Sequence, residues 1–167
     1  MTAPRKASFA PVVDAATRLL VLGSLPGERS LAAGRYYAHP QNQFWRLIGA
    51  VIDRDLTALP YEARLAALLA AGVGLWDVVA TATRTGSTDA AIRDIAANDL
   101  ATLVARLPAL KAIAFNGATA ARIGTAALGD LTIPHLTLPS SSPLHTIGVE
   151  AKTPAWLTLR HLLTPSC

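Results

Sequence analysis

Cysteine is nearly absent. The 167-residue chain has one, Cys167, its last residue. A single thiol allows no internal disulfide and no multi-cysteine zinc or iron–sulfur site. No His, Cys or carboxylate group has metal-ligand spacing, so no metal and no cofactor are expected. Long apolar runs are missing too: residues 19–22 and 65–71 stop far short of the roughly 20 residues that a bilayer crossing needs. The first ten residues carry Arg5 and Lys6 but no apolar leader core, so a reducing cytoplasm is the expected compartment and residues 1–10 are expected to be loosely ordered. Charge is sparse, at 16% of residues with a net +4, against 51% hydrophobic, which excludes a disordered chain. The length fits one domain, 1–167, able to bury about two-thirds of its unfolded surface. Lysine is scarce beside arginine, three against twelve, at a pI near 9.7. The planar arginine fork suits phosphates and base edges, which permits a nucleic-acid partner, although genome base bias produces the same alanine- and arginine-rich composition.

What is there alternates between strand and helix. Residues 18–23 form a short apolar run ending in Gly23, the mark of a buried strand. Residues 42–52 place Phe44, Trp45, Leu47, Ile48, Val51 and Ile52 on one helix face. Residues 61–71 read as a second helix closed by Gly72, and 73–79 as a strand or extended segment. The spacing of Ile92, Ile95, Leu100, Leu103, Val104 and Leu107 predicts one helix over 89–107, stopped by Pro108. A strand over 110–115, a helix over 118–128, a strand over 131–138 and a closing helix over 153–163 with Pro154 in its first turn complete the string. Such alternation predicts an α/β fold with a mainly parallel sheet and helices on both faces. Ligands bind such sheets outside the carboxyl ends of the strands. Chemistry is therefore expected at Gly23-Ser-Leu-Pro-Gly27, at Asp77, at Asn116-Gly117 and at Pro139-Ser-Ser-Ser-Pro143.

Each segment has a plain and a functional reading. Gly23, Ser24, Pro26 and Gly27 make either a tight turn or a loop whose backbone approaches a ligand closely. They fit neither a Walker loop nor a dinucleotide fingerprint. Tyr36, Tyr37, Phe44 and Trp45 crowd one stretch, where Phe44 and Trp45 belong to a helix face and Tyr37 is freer to stack on a base. Asn42 is either a helix cap or a group that positions water or a ligand. Asp77 sits in an apolar segment and must be paired, or must accept an N–H from a ligand. Asn116 caps a helix or faces the site. Ser140, Ser141 and Ser142 make a solvated turn or grip phosphates, with His145 and His39 close by.

These segments, in this order, resemble the uracil-DNA glycosylase superfamily. Gly23-Ser-Leu-Pro-Gly27, Tyr37-Ala-His-Pro-Gln-Asn-Gln-Phe-Trp45, Gly74-Leu-Trp-Asp77, Phe115-Asn-Gly117 and Leu138-Pro-Ser-Ser-Ser-Pro143 are most similar to the hypoxanthine-DNA glycosylase branch, the deoxyinosine glycosylases of family 6. The long second segment is the specific one, and the likeness runs from about Leu19 to Leu163. It implies a three-layer α/β/α sandwich that flips a damaged base out of DNA and hydrolyses its N-glycosidic bond in base excision repair, acting as a monomer on damaged DNA with no membrane partner. It also implies a critical Asn42, Tyr37 stacking on the base and Asp77 reading it. Ser140 to Ser142 would form the second motif and Leu144 the wedge left in the stack. Two departures stand out: Leu138 replaces the histidine that opens the second motif in some families, and Ser142-Pro-Leu-His145 replaces the Ser-Pro-Ala-Asn common in this branch.

The expected reaction passes through an oxocarbenium-like state. Asn42 positions water or sugar, since an amide takes no proton at neutral pH. The N–H groups of the first loop stabilise charge on the departing base. An ionised Asp77 accepts the ring N–H of hypoxanthine or uracil and meets only a lone pair on adenine. A lyase step needs an amine, and Lys6, Lys111 and Lys152 lie outside the motifs, so a monofunctional enzyme is expected. Two other readings compete: a damaged-DNA-binding domain of the same fold without catalysis, and a serine hydrolase using Ser24, for which the Gly-x-Ser-x-Gly elbow is missing.

Overall fold

The computed structural model describes residues 5–163; Cys167 lies outside them. In chain order the elements are Arg5–Ala7 (β1), Leu19–Gly23 (β2), Glu28–Ala33 (α1), Phe44–Ile52 (α2), Tyr61–Ala70 (α3), Val73–Asp77 (β3), Val79–Thr83 (β4), Arg93–Ala97 (β5), Leu100–Ala105 (α4), Ala112–Asn116 (β6), Ala118–Leu128 (α5), His135–Leu138 (β7), Val149–Leu157 (α6) and Arg160–Leu163 (α7). A single 3₁₀ turn, Asp89–Ala91, joins β4 to β5.

Four strands form a wholly parallel sheet in the order β3-β2-β6-β7. All five residues of β2 and all five of β6 are buried, as strands covered on both faces must be. Their period of two divides the core. Leu19, Val21, Val73, Leu75, Ala112 and Ala114 pack under α2, α3 and Trp156 of α6. Leu20, Leu22, Ile113 and Phe115 pack under Leu100 and Leu103 of α4 and Ile123 of α5. This is the expected three-layer arrangement, and the amphipathic face of α2 buries Phe44, Trp45, Leu47, Ile48 and Val51 as its spacing predicts. No helix among the described residues is long and apolar enough to cross a membrane.

The structure departs from the sequence reading in several places: α1 and β4 are not among the expected elements, and the strand expected over 131–138 is confined to His135–Leu138. The predicted helix over 89–107 is a 3₁₀ turn, a strand and a shorter helix. Its apolar residues serve two purposes: Ile92, Leu100 and Leu103 enter the core, whereas Ile95 stays exposed in β5, and Asp94 takes a positive φ of 53° that no helix accommodates. β5 pairs with β4, and β4 with β1, in a separate antiparallel ribbon. That pairing orders residues 5–7, inside the stretch expected to be loose. The closing helix begins at Val149, four residues early, after Gly148 at φ 84°. Pro154 therefore lies inside α6, where Thr153 Oγ1 donates to the Val149 carbonyl at 2.7 Å.

Candidate functional site

The parallel register brings Gly23, Asp77 and Asn116 to the same end of the sheet, and the loop after β7 to the same rim. With Tyr37 and Asn42 from the segment leading into α2, they wall a cavity of about 690 Å³. Every site residue singled out from the sequence lines it, from Gly23, Ser24, Pro26 and Gly27 through Tyr37, Asn42, Asp77 and Asn116 to Ser140, Ser142, Leu144 and His145. Their roles in it differ.

At Gly23 the absence of a side chain is what admits the site. A Cβ there would stand 2.6 Å from Asp77 Oδ1 and 3.0 Å from Tyr37 Oη. The carboxylate and the phenol therefore share the space directly above this backbone. Asp77 is 4% exposed, and its Oδ2 has no hydrogen-bond partner. Burial first, then the nearby charge of Asp89, push its carboxyl up to about 7, with Arg84 opposing.

The carbonyls of the first loop are all occupied. Gly23 and Ser24 accept from Val78 and Val79 N–H at 2.8 and 3.1 Å, and Gly27 accepts from Leu31 N–H at 3.0 Å. Arg84, 2% exposed, donates to the carbonyls of Leu25 and Pro26. The loop's acceptors thus face the scaffold, and its N–H groups remain for a ligand's oxygens.

Asn42 fills both roles the sequence left open. Its Oδ1 accepts from Phe44 N–H at 2.9 Å, starting α2, and from Ser141 Oγ at 2.8 Å. The backbone donor fixes which end is oxygen, so the amide NH₂ is the end left free, and Asn42 acts toward a ligand as a donor. Ser141 departs from its expected phosphate contact. It is 1% exposed, its hydroxyl bridges Asn116 Nδ2 at 2.9 Å to Asn42, and its N–H donates to Asn116 Oδ1 at 2.9 Å. It bolts the second motif to the two asparagines and offers nothing to a phosphate. Asn116, in the cavity wall, directs its remaining amide hydrogen to Tyr37 Oη at 3.3 Å, so both of its donors are engaged within the site.

Tyr37 adopts φ 53°, an uncommon backbone state for a bulky residue that structure elsewhere must hold. Phe44 stacks on the ring at 3.9 Å and 19°, and Trp45 Nε1 donates to the Tyr37 carbonyl at 3.2 Å. One ring face is thereby covered, so a base can stack only on the other. Leu144 and Ile147 are 62% and 52% exposed on the loop after β7. Lys152, outside the motifs, reaches back from α6 to the Ser142 carbonyl at 3.1 Å, and desolvation lowers its ammonium.

Two residues escaped the sequence reading. Arg84 gave no signal beyond one more arginine. Asp89 lines the cavity and accepts the Ser24 hydroxyl at 2.6 Å. That contact weighs against a serine hydrolase, since the partner of Ser24 is a carboxylate and no histidine is bonded to it. Among the described residues no group of three or more His, Cys, Asp or Glu could hold a metal ion.

Residues 10–160 match a family model described as the uracil DNA glycosylase superfamily. The chain is 44% identical over 113 residues to a hypoxanthine DNA glycosylase of Methanosarcina barkeri, covering 68% of this chain and 72% of that protein. It is 42% identical over 112 residues to a hypoxanthine DNA glycosylase of Methanosarcina acetivorans, covering 67% and 71%. A solution NMR structure from Methanosarcina acetivorans, provisionally named a uracil DNA glycosylase, matches with a TM-score of 0.85 at 36% identity, over 95% of this chain and 99% of that one.

Proposed function

The chain belongs to the uracil DNA glycosylase superfamily, and from that premise we propose that it excises a deaminated base, hypoxanthine or uracil, from DNA by hydrolysing the N-glycosidic bond. The observation that carries this reading is the buried Asp77 carboxylate, with one unpartnered oxygen, in the wall of a cavity it shares with Tyr37.

A nucleotide turned out of the duplex stacks on Tyr37, with Phe44 behind the ring. Ionised Asp77 accepts N1–H of hypoxanthine or N3–H of uracil and opposes the N1 lone pair of adenine. The N–H groups of the Ser24 to Gly27 loop and the Asn42 amide donate to the oxygens of the leaving base or the sugar, where negative charge must be held as the bond stretches. Leu144, apolar and exposed, fills the gap left in the stack. Pro26, Ser140, Ser142 and His145 line the rim that meets the DNA backbone. One cavity takes one nucleotide, so a single copy of the chain suffices.

No lysine lines the cavity, and Lys6 and Lys152 are held elsewhere, on Gly86 and Ser142. The enzyme therefore leaves an abasic site intact. The test is a panel of duplexes, each with one hypoxanthine, uracil or xanthine, incubated with protein and then with alkali. Strand breaks at hypoxanthine or uracil only after alkali are expected. No break at any base would refute the activity, and breaks before alkali would refute the monofunctional mechanism.

A further inference from the structure

Hydrolysis of an N-glycosidic bond is accelerated by a group that takes a proton from the attacking water and tolerates a cationic sugar beside it, work that carboxylates perform in glycoside hydrolysis. Three carboxylates line the cavity: Glu28, Asp77 and Asp89. Glu28 is 62% exposed and paired with Lys6 at 3.4 Å. Asp77 is buried beside Gly23 and the phenol of Tyr37, where the base edge is read. The Asn42 amide has no basicity, and its oxygen is already engaged twice. Asp89 is the carboxylate that remains.

Its placement suits the task. The 3₁₀ turn at the end of the β4–β5 ribbon delivers it to the first loop, where the Ser24 hydroxyl donates to Oδ1 at 2.6 Å. That bond fixes the carboxylate and leaves Oδ2 without a hydrogen bond among the described residues. The first loop has no acid or amide side chain of its own, only Ser24 and Leu25. The ribbon brings an acid to the position where the loop lacks one.

We infer that Asp89 is the catalytic carboxylate that accepts the proton of the attacking water, with Ser24 as its positioning residue. This rests on the glycosylase reading above. The water oxygen bonds to C1′ while the C1′–N bond breaks. The electron pair of that bond leaves with the base, whose anion is protonated from solvent. The water proton passes to Asp89 and from there to solvent.

The test compares wild type, Asp89→Asn and Ser24→Ala in single-turnover excision from an inosine duplex, beside equilibrium binding to the same duplex under conditions too short for turnover. Asp89→Asn keeps an acceptor for Ser24 and loses the carboxylate's basicity and charge. It should lower the single-turnover rate by about 10²–10⁴-fold while binding stays within about threefold. Ser24→Ala should cost about tenfold in rate, the carboxylate being present but unsteered. Asp89→Asn at wild-type rate, or losing rate and binding by the same factor, overturns the assignment while leaving the glycosylase reading intact. If Asp89→Asn does not fold, Ser24→Ala at wild-type rate overturns it. A wild-type protein that excises nothing overturns both.

Discussion

Asp77→Asn separates the cost of burying a charge from the benefit of using it. The folded state holds the carboxyl at about 7 against an ordinary 3.8. Between those values the native protein binds a proton that the unfolded chain has released, so stability falls as pH rises from about 4 to about 7 and is level above that. A difference of about 3 units at about 1.4 kcal/mol each sets a ceiling near 4 kcal/mol at pH 8. Water entering the open cavity reduces it to about half, and the unpaired NH₂ of the new asparagine takes back about 1 kcal/mol. The variant should be more stable than wild type by about 1 kcal/mol at pH 8, a rise of about 2–4 °C in Tm, and no more stable at pH 5. Its amide can pair with either the hypoxanthine or the adenine edge, so preference for hypoxanthine over adenine should fall. Thermal melts at pH 5, 6, 7 and 8, with excision from matched inosine and adenine duplexes, read both effects. Wild-type and variant melting temperatures that run parallel from pH 5 to pH 8 would refute the argument that burial raises the Asp77 carboxyl.

Three further outcomes are expected. Asn42→Ala removes the free amide donor and the Phe44 cap together, and should lower single-turnover excision by at least about 10²-fold for about 1 kcal/mol of stability, read by rapid quench and by urea melts. Ser141→Ala leaves Asn42 and Asn116 in place but unlinked. It should cost about 1–3 kcal/mol, with a larger loss in kcat than in KM, and Ser141→Cys should recover less than half of either. Gly23→Ala puts a methyl group 2.6 Å from Asp77 Oδ1, so excision should disappear in a protein whose circular dichroism is unchanged.

The central strands of the sheet were legible because they are buried on both faces: 19–22 and 112–115 are unbroken apolar runs that little else explains. The ribbon was hidden for the opposite reason. β5 is exposed at every position, so its sequence carries no alternation, and flanking Ile92 and Leu100 mimic a helix face across it. The site was legible where residues follow buried strands, as with Gly23, Asp77 and Asn116. Asp89 follows none and is placed by a turn whose only sequence mark is Gly86-Ser87-Thr88, and the inward rotation of Ser141 cannot be told from that of its two serine neighbours by composition.

The ribbon has a consequence for how such an enzyme diversifies. Its turn, residues 84–91, supplies Arg84 and Asp89 to the first loop and Ser87 to the start of α1, and its central strand β4 is paired with β1, with Lys6 clasping the Gly86 carbonyl at 2.9 Å. None of these contacts passes through the parallel sheet. Substitutions at the exposed positions of this turn, Thr85, Ser87 and Thr88, therefore bear on the mouth of the enzyme while the packed layers beneath it stay as they are.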